Sequence, residues 1–362
     1  MAQPKYTVGI IGGGRLGQHY IEVYQTLPET DVVAIAEINE DRRRAVGERF
    51  GITALFADAE AMLREVVPDL AVVVLPGRYI KEAVVASAQA GVKGVSTDKP
   101  IGACLADVDE MVDVCAERGV VFAGGNLARA LNSVQDAARW LRHGDYGQLR
   151  GASVHRWSGE ISGGGCQHIA VLRLLAGAEV SEVIAWGAPA EALHSDKDEG
   201  LAINGLFRLS NGLSCPVFGM ETPSRGVQVW TDDSLVSWDW APPEIYQGFN
   251  EDGTRIKVER AFTPEEYPRF SYMGTSVRSF IDAVSTGGEL AISGRDLRQS
   301  LEVAIAAKHS ALWGSVPLQL PLEDRSLTLY PRAYRWLGGD RSGRPQSYQE
   351  ALDYELFGKY KG

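Results

Sequence analysis

A chain of 362 residues exceeds the size at which one hydrophobic core keeps growing, so two domains are expected. Hydrophobic residues at 45% and charged residues at 23% match ordinary globular composition and argue against extensive disorder. A formal net charge of −11, with no basic run beyond Arg42-Arg43-Arg44, speaks against a nucleic-acid partner.

Residues Met1 to Lys5 carry no apolar signal core and lead directly into a strand pattern. No apolar run is long enough to span a bilayer, so a cytoplasmic chain without a membrane partner is expected. Short β-branched runs then alternate with amphipathic segments, the pattern of a parallel sheet wrapped by helices. Strands read at Tyr6 to Ile11, Asp31 to Glu37, Asp69 to Leu75, Gly94 to Thr97 and Val120 to Ala123. Helices read at Leu16 to Thr26, Asp58 to Val66, Ile80 to Ala90 and Leu105 to Arg118, and Arg42-Arg43-Arg44 sits on another. In the helix from Leu105, the residues Val108, Met111, Val112 and Cys115 recur at the spacing of a buried stripe. Cys104, Cys115, Cys166 and Cys215 form no C-x-x-C pair and read as thiols of the core, with no metal site expected.

A helix from Ser133 to His143 ends at Gly144, after which β-rich segments follow. Asn211-Gly212, between Leu206 to Leu209 and Leu213 to Phe218, is the dipeptide of a tight hairpin and points to antiparallel sheet. Val227 to Trp230 and Leu235 to Trp240 continue it, and helical patterns at Thr275 to Ala283 and Arg295 to Leu312 come after. The fold class is α/β: an N-terminal Rossmann dinucleotide-binding domain over 1–125 and a C-terminal α+β domain with an open, mostly antiparallel sheet over 126–330. A tail over 331–362, with Trp336, Gly338-Gly339-Asp340 and Tyr348, is too aromatic for a free linker and is expected to pack on the body.

Three stretches could carry chemistry. The first is Gly12-Gly13-Gly14-Arg15-Leu16-Gly17, a G-x-G-x-x-G turn between a strand and a helix. Gly12 permits the tight turn, Gly14 lets the backbone approach a pyrophosphate, and Gly17 lets helix and strand pack closely. Glu37 then stands where a carboxylate accepts the adenosine ribose hydroxyls and repels a 2′-phosphate, so NAD is expected over NADP, with Arg42 leaving room for both. The second is Asp98-Lys99-Pro100, where proline keeps Lys99 extended at the carboxyl edge of the sheet. An ammonium about 4 Å from a substrate hydroxyl contributes roughly 4 kcal/mol to an alkoxide at an effective dielectric near 20, or about three pK units. A lysine paired with Asp98 on the surface is the plainer alternative. The third is Ser162-Gly163-Gly164-Gly165-Cys166-Gln167-His168, a glycine-rich turn into a helix that reads Ile169, Leu172 and Leu175. His168 falls in its first turn, where the positive helix end favours the neutral imidazole of a general base. By spacing alone a packed or capping histidine fits as well.

Taken together with Pro76-Gly77, Ser293-Gly294, Gly314-Ser315-Val316-Pro317-Leu318 and Leu318-Gln319-Leu320-Pro321-Leu322, these stretches resemble the Gfo/Idh/MocA oxidoreductase family over nearly the whole chain. Asp98 replaces the glutamate usual before the lysine. The resemblance implies that Gly12, Gly14, Arg15, Leu16, Gly17, Glu37, Pro76, Asp98 and Lys99 hold the dinucleotide. It also implies that Lys99 lies near the reacting carbon, that His168 carries the proton, and that the C-terminal sheet pairs subunits into a homodimer or homotetramer. The family's aspartate four residues before the histidine is Gly164 here, and its acidic residue three after is Val171, so Glu160 or His155 is a candidate substitute. Asn126, Arg129, His155, Trp157 and Gln167 are the candidates to face the substrate, with Trp157 equally suited to the core and Trp230, Trp238 and Trp240 suited to either role. The expected activity is NAD-dependent oxidation or reduction of a hydroxyl on a sugar, cyclitol or sugar derivative. The alternatives are an NAD-dependent glycoside hydrolase working by transient oxidation, elimination and re-reduction, and a nucleotide-binding sensor that has lost catalysis.

Overall fold

The computed structural model describes residues 6–220 and 222–331. They form two compact units, the first holding 6–125, 276–295 and Tyr330 with Pro331, and the second holding Asn126–Thr275 and Asp296–Leu329. Beyond Pro331, the tail expected over 331–362 lies outside the described residues.

In the first unit six parallel strands, β1 (Tyr6–Ile11), β2 (Thr30–Ala36), β3 (Ala54–Phe56), β4 (Leu70–Val73), β5 (Gly94–Thr97) and β6 (Val121–Gly124), pair in the order β3-β2-β1-β4-β5-β6. This is the Rossmann order, and its direction reverses between β1 and β4, the place at which such sheets bind ligands. The connecting helices are α1 (Arg15–Thr26), α2 (Glu40–Phe50), α3 (Ala59–Glu65), α4 (Ile80–Ala90) and α5 (Leu105–Glu117). Because helices cover both faces, β1 and β4 read as continuous apolar runs, and Val8, Ile10, Leu70, Ala71, Val72 and Val73 are fully buried. Only β3 escaped the sequence reading, since its three half-buried residues show no alternation.

The stretch 276–295, read from the sequence as part of 126–330, groups with the first unit. Its side chains complete the core of the first unit. A Cβ at Gly94 would lie 2.6 Å from the Phe280 ring and 2.9 Å from Val284, while one at Gly294 would meet the Phe122 ring at 2.3 Å. Gly124 N–H also donates to the Ile292 carbonyl at 3.0 Å.

The second unit opens with α6 (Asn132–His143), β7 (Gly151–His155), β8 (Ser158–Gly159) and α7 (Cys166–Ala176). It continues through β9 (Val180–Ala188), α8 (Ala190–His194), β10 (Lys197–Asp198), β11 (Leu201–Leu209), β12 (Ser214–Phe218), β13 (Gly226–Trp230), β14 (Ser234–Trp238), β15 (Glu244–Phe249) and β16 (Arg255–Lys257). Helices α9 (Ser271–Thr286) and α10 (Gly294–Leu312) each run across the boundary between the units, and β17 (Leu318–Gln319) follows. The sheet runs β16-β15-β14-β13-β7-β12-β11-β9-β17, with β8 paired to β11. It is antiparallel apart from the β7–β12 pair. Asn211-Gly212 makes the hairpin between β11 and β12, with Gly212 at φ 85° and Leu209 N–H donating to the Leu213 carbonyl at 2.8 Å. All residues of α7 are buried, so this helix forms part of the core rather than a surface stripe. The opposite side of the sheet carries Trp186, 54% exposed, and Leu206, 43% exposed. The strand expected at Leu235 to Trp240 stops at Trp238, because Trp240 turns into the left-handed region at φ 58°. Among the described residues no helix is long and apolar enough to cross a membrane.

Candidate active site

The glycines of the first turn differ in what requires them. Gly12 sits at φ 105°, and a Cβ there would lie 2.1 Å from the Val74 carbonyl oxygen of the loop leaving β4. A Cβ at Gly17 would overlap the Gly12 carbonyl oxygen at 1.9 Å, so helix and turn meet backbone to backbone. Gly14 is different. It caps α1 with an ordinary φ of −67°, and a Cβ there would approach only Arg42 Nη1, at 3.9 Å. The protein itself makes no demand for glycine at 14, whereas a pyrophosphate drawn against the helix N-terminus would use that space. The residues therefore fit a dinucleotide. Arg15 and Leu16 begin α1 beside it, and both are half-buried.

Glu37 follows β2 and is buried. Its Oε2 accepts the Gly13 N–H at 2.8 Å and its Oε1 the Asn39 N–H at 2.9 Å, so the carboxylate ties the glycine turn to the start of α2. Arg42 Nη1 stands 4.0 Å from Oε2. A carboxylate offers about four acceptor positions, which leaves capacity for further donors. Pro76 lies after β4, and its carbonyl accepts the Tyr79 N–H at 2.8 Å.

Asp98 does not pair with the Lys99 ammonium. Its Oδ2 accepts the Tyr20 hydroxyl at 2.8 Å and its Oδ1 the Lys99 backbone N–H at 2.7 Å. The buried carboxylate thus fixes the backbone of residue 99 at the end of β5, and the half-buried Lys99 side chain forms no ion pair among the described residues. The surface pair offered as the plainer alternative is absent.

In the second unit the turn before α7 is built on Asp198. This carboxylate accepts the Ile161 N–H at 2.8 Å and the Ser162 hydroxyl at 2.6 Å, and burial pushes it up to about 6 despite those donors. A Cβ at Gly163 would strike the Glu160 carboxyl carbon at 2.3 Å, and one at Gly165 would strike the Ile161 carbonyl oxygen and Trp157 Nε1, both at 2.6 Å. Gly164, between them, would meet only the Glu160 carbonyl oxygen, at 3.9 Å.

His168 is 5% exposed, and neither ring nitrogen has a hydrogen-bond partner. Burial pushes the imidazole down to about 4, and the carbonyls of Gly165 and His155, which face the ring without reaching hydrogen-bond geometry, offset this only in part. Of the two candidate substitutes, a charge on His155 lowers the His168 pKa rather than raising it as a carboxylate would, while the Glu160 carboxylate lies over Gly163 and raises Asp198. His155 itself stacks on Phe218 with centroids 5.2 Å apart, and its Nε2 meets Ser153 Oγ at 2.8 Å.

The substrate-facing candidates divide. Trp157 is fully buried, lies two residues past β7 and donates its indole N–H to the Gly165 carbonyl at 3.1 Å. It is a core residue that supports the turn, not an exposed plate. Gln167 clamps a loop, its Oε1 accepting the Ala128 N–H at 2.7 Å and its Nε2 donating to the Asn126 carbonyl at 3.2 Å. Asn126, at φ 58°, is held by that clamp. Arg129 is bound to α7. It donates to the Ala170 carbonyl at 3.2 Å, lies 3.3 Å from Asp296, and lines a cavity of about 310 Å³ that includes Arg173 and Gly177. The aromatic neighbours of His168 are Trp238 and Trp240, with centroids at 6.1 and 5.6 Å, both edge-on. The sequence offered these two rings among several and gave no periodicity to single them out, because they belong to a strand end and its turn.

Residues 6–125 match the model of the Gfo/Idh/MocA oxidoreductase family, NAD-binding Rossmann fold. The myo-inositol 2-dehydrogenase of Thermotoga maritima is 24% identical over 324 residues, 84% of this chain and 95% of that protein. Residues 6–125 are a Gfo/Idh/MocA NAD-binding Rossmann domain. Another relative, the D-glucoside 3-dehydrogenase of Escherichia coli, is 26% identical over 178 residues, 46% of this chain and 50% of that protein. The crystal structure of aldose-aldose oxidoreductase from Caulobacter crescentus, complexed with glycerol, shares the fold with a TM-score of 0.72 at 18% identity, over 87% of this chain and 100% of that one. Outside that Rossmann domain, Gly164 stands at the position where the sequence resemblance puts an aspartate. The space there is open rather than filled by another group.

Proposed function

We propose that this oxidoreductase uses NAD to oxidise or reduce a hydroxyl of a sugar, cyclitol or sugar derivative, with Lys99 polarising the reacting oxygen and His168 carrying its proton. The observation that carries the reading is Lys99: its backbone is pinned by Asp98 while its ammonium remains without a carboxylate partner among the described residues. An ammonium left uncompensated at the carboxyl end of a Rossmann strand favours an anionic oxygen there by roughly 4 kcal/mol at contact distance. When bound, the nicotinamide accepts or donates the hydride. His168, kept neutral by burial, can take a proton at a ring nitrogen that no protein group occupies. Relatives named for myo-inositol and D-glucosides support a polyol substrate. The buried Glu37 carboxylate supports NAD, because a 2′-phosphate would meet its charge. The exposed apolar side of the second unit's sheet supports self-association as a homodimer or homotetramer.

The test is turnover with NAD and a panel of myo-inositol, D-glucose and methyl D-glucosides, read as NADH absorbance. Lys99→Met should lose about a thousandfold in rate, the size of the charge effect above, while retaining NAD binding by calorimetry. Release of p-nitrophenol from nitrophenyl glycosides without lasting NADH would transfer the assignment to the glycoside hydrolase. NADP binding as tight as NAD would overturn the cofactor preference.

A further inference from the structure

Three buried polar atoms without hydrogen-bond partners gather at one place in the second unit: Nδ1 and Nε2 of His168 and Nε1 of Trp238. Each shows almost no surface to solvent, so bulk water does not satisfy them. The aromatic ring that neighbours both residues is Trp240. Its ring lies 5.6 Å from His168 and 5.0 Å from Trp238, yet Trp240 remains 42% exposed on its far side. Its backbone is in the left-handed region at φ 58°, a conformation that bulky L-residues adopt at a cost and that gathers at ligand clamps. Asn126 at φ 58° and Arg156 at φ 57° share it, the first in the loop clamped by Gln167 and the second next to His155.

A rigid core would bury an aromatic ring fully and pair the polar atoms beneath it. Here a half-exposed indole, on a strained turn just past the end of β14, covers a histidine and an indole N–H that both lack partners. We propose that Trp240 is the movable aromatic plate of the substrate pocket. It swings from His168 to admit a polyol ring, stacks on that ring's C–H face, and leaves one ring hydroxyl to a His168 nitrogen and a neighbouring oxygen to the Trp238 N–H. Indoles suit this role, since the π-face accepts the apolar side of a ring while the N–H takes a polar edge. The proposal rests on the polyol reading given above, and its substrate class is a pyranose or cyclitol with adjacent hydroxyls.

Diethylpyrocarbonate modification of His168, followed by peptide mass spectrometry on the full chain with bound NADH, reads the cover directly. The wild-type residue should react slowly, Trp240→Ala should raise its rate at least tenfold, and Trp240→Phe should stay near wild type. Equal rates for wild type and Trp240→Ala would overturn the plate. Addition of myo-inositol or methyl D-glucoside should slow modification in the wild type and lose that effect in Trp240→Ala. Protection that survives the alanine variant would also overturn it. If neither polyol protects the wild type although calorimetry shows NADH bound, the polyol reading itself fails and the plate with it. Trp238→Phe, which keeps a ring and removes only the N–H, should weaken polyol protection without raising the modification rate.

Discussion

At the scale of single residues, Gly14 and Gly12 illustrate how one motif can contain two kinds of glycine. Gly14→Ala should leave stability unchanged or raise it by about 0.5 kcal/mol through the unfolded chain, and should weaken NAD binding, measured by urea unfolding and calorimetry on the same sample. Gly17→Ala should instead unfold the first unit, since its Cβ would overlap a carbonyl oxygen at 1.9 Å. His168 makes a prediction with pH. Its folded value of about 4 lies below the ordinary 6.5, so between those values the unfolded chain binds the extra proton and stability falls as pH falls. Across that window the loss approaches about 3 kcal/mol. Asp198, raised to about 6, acts in the opposite sense and gains stability as pH falls through 6. The two trends mask one another in the wild type. His168→Gln should separate them, gaining on the wild type in urea midpoint as pH drops from 7 to 4.

At the scale of elements, the turn before α7 shows how much of the site was open to inspection in the sequence. Three consecutive glycines announced a turn, and the next apolar spacing announced the helix, but the letters could not tell which glycine the packing requires. The answer depends on Glu160, Ile161 and Trp157 folding back over the turn, and on Asp198 reaching it from 36 residues away. Gly163→Ala should cost about 1–3 kcal/mol through that crowding. Gly164→Asp should fold normally, and its carboxylate, at the residue where the family resemblance expects one, should raise the His168 pKa in an imidazole NMR titration. The Rossmann strands were readable because burial on both faces makes each one a dense apolar run. Trp157 stayed open between two roles for a related reason: a tryptophan near a strand end suits a sugar plate or a core equally, and its complete burial favours the core. Trp240 was read as the end of a strand because a left-handed turn at a non-glycine residue leaves no mark in composition.

At the scale of the whole molecule, the exposed side of the second unit's sheet sets an expectation for assembly. Ile184 pairs with Leu206, and Trp186 with Asn204, so β9 and β11 present Trp186 and Leu206 as exposed apolar side chains on one face. Trp186→Asp should lower the mass measured by analytical ultracentrifugation while leaving NAD affinity intact, because Trp186 is in the second unit and the glycine turn in the first.

The stretch 276–295 bears on how such a protein could be cut, spliced or inherited. A polypeptide ending at Gly125 would carry every residue of the dinucleotide turn and yet leave Gly94 and the Phe122 ring uncovered, where Phe280, Val284 and Gly294 now close over them. Such a fragment should bind hydrophobic dye and precipitate, and a fusion that restores 276–295 should rescue it. A single crossover after the sixth strand should therefore yield a dinucleotide domain that lacks its matching 276–295 cover, whereas substitutions made in place should keep it.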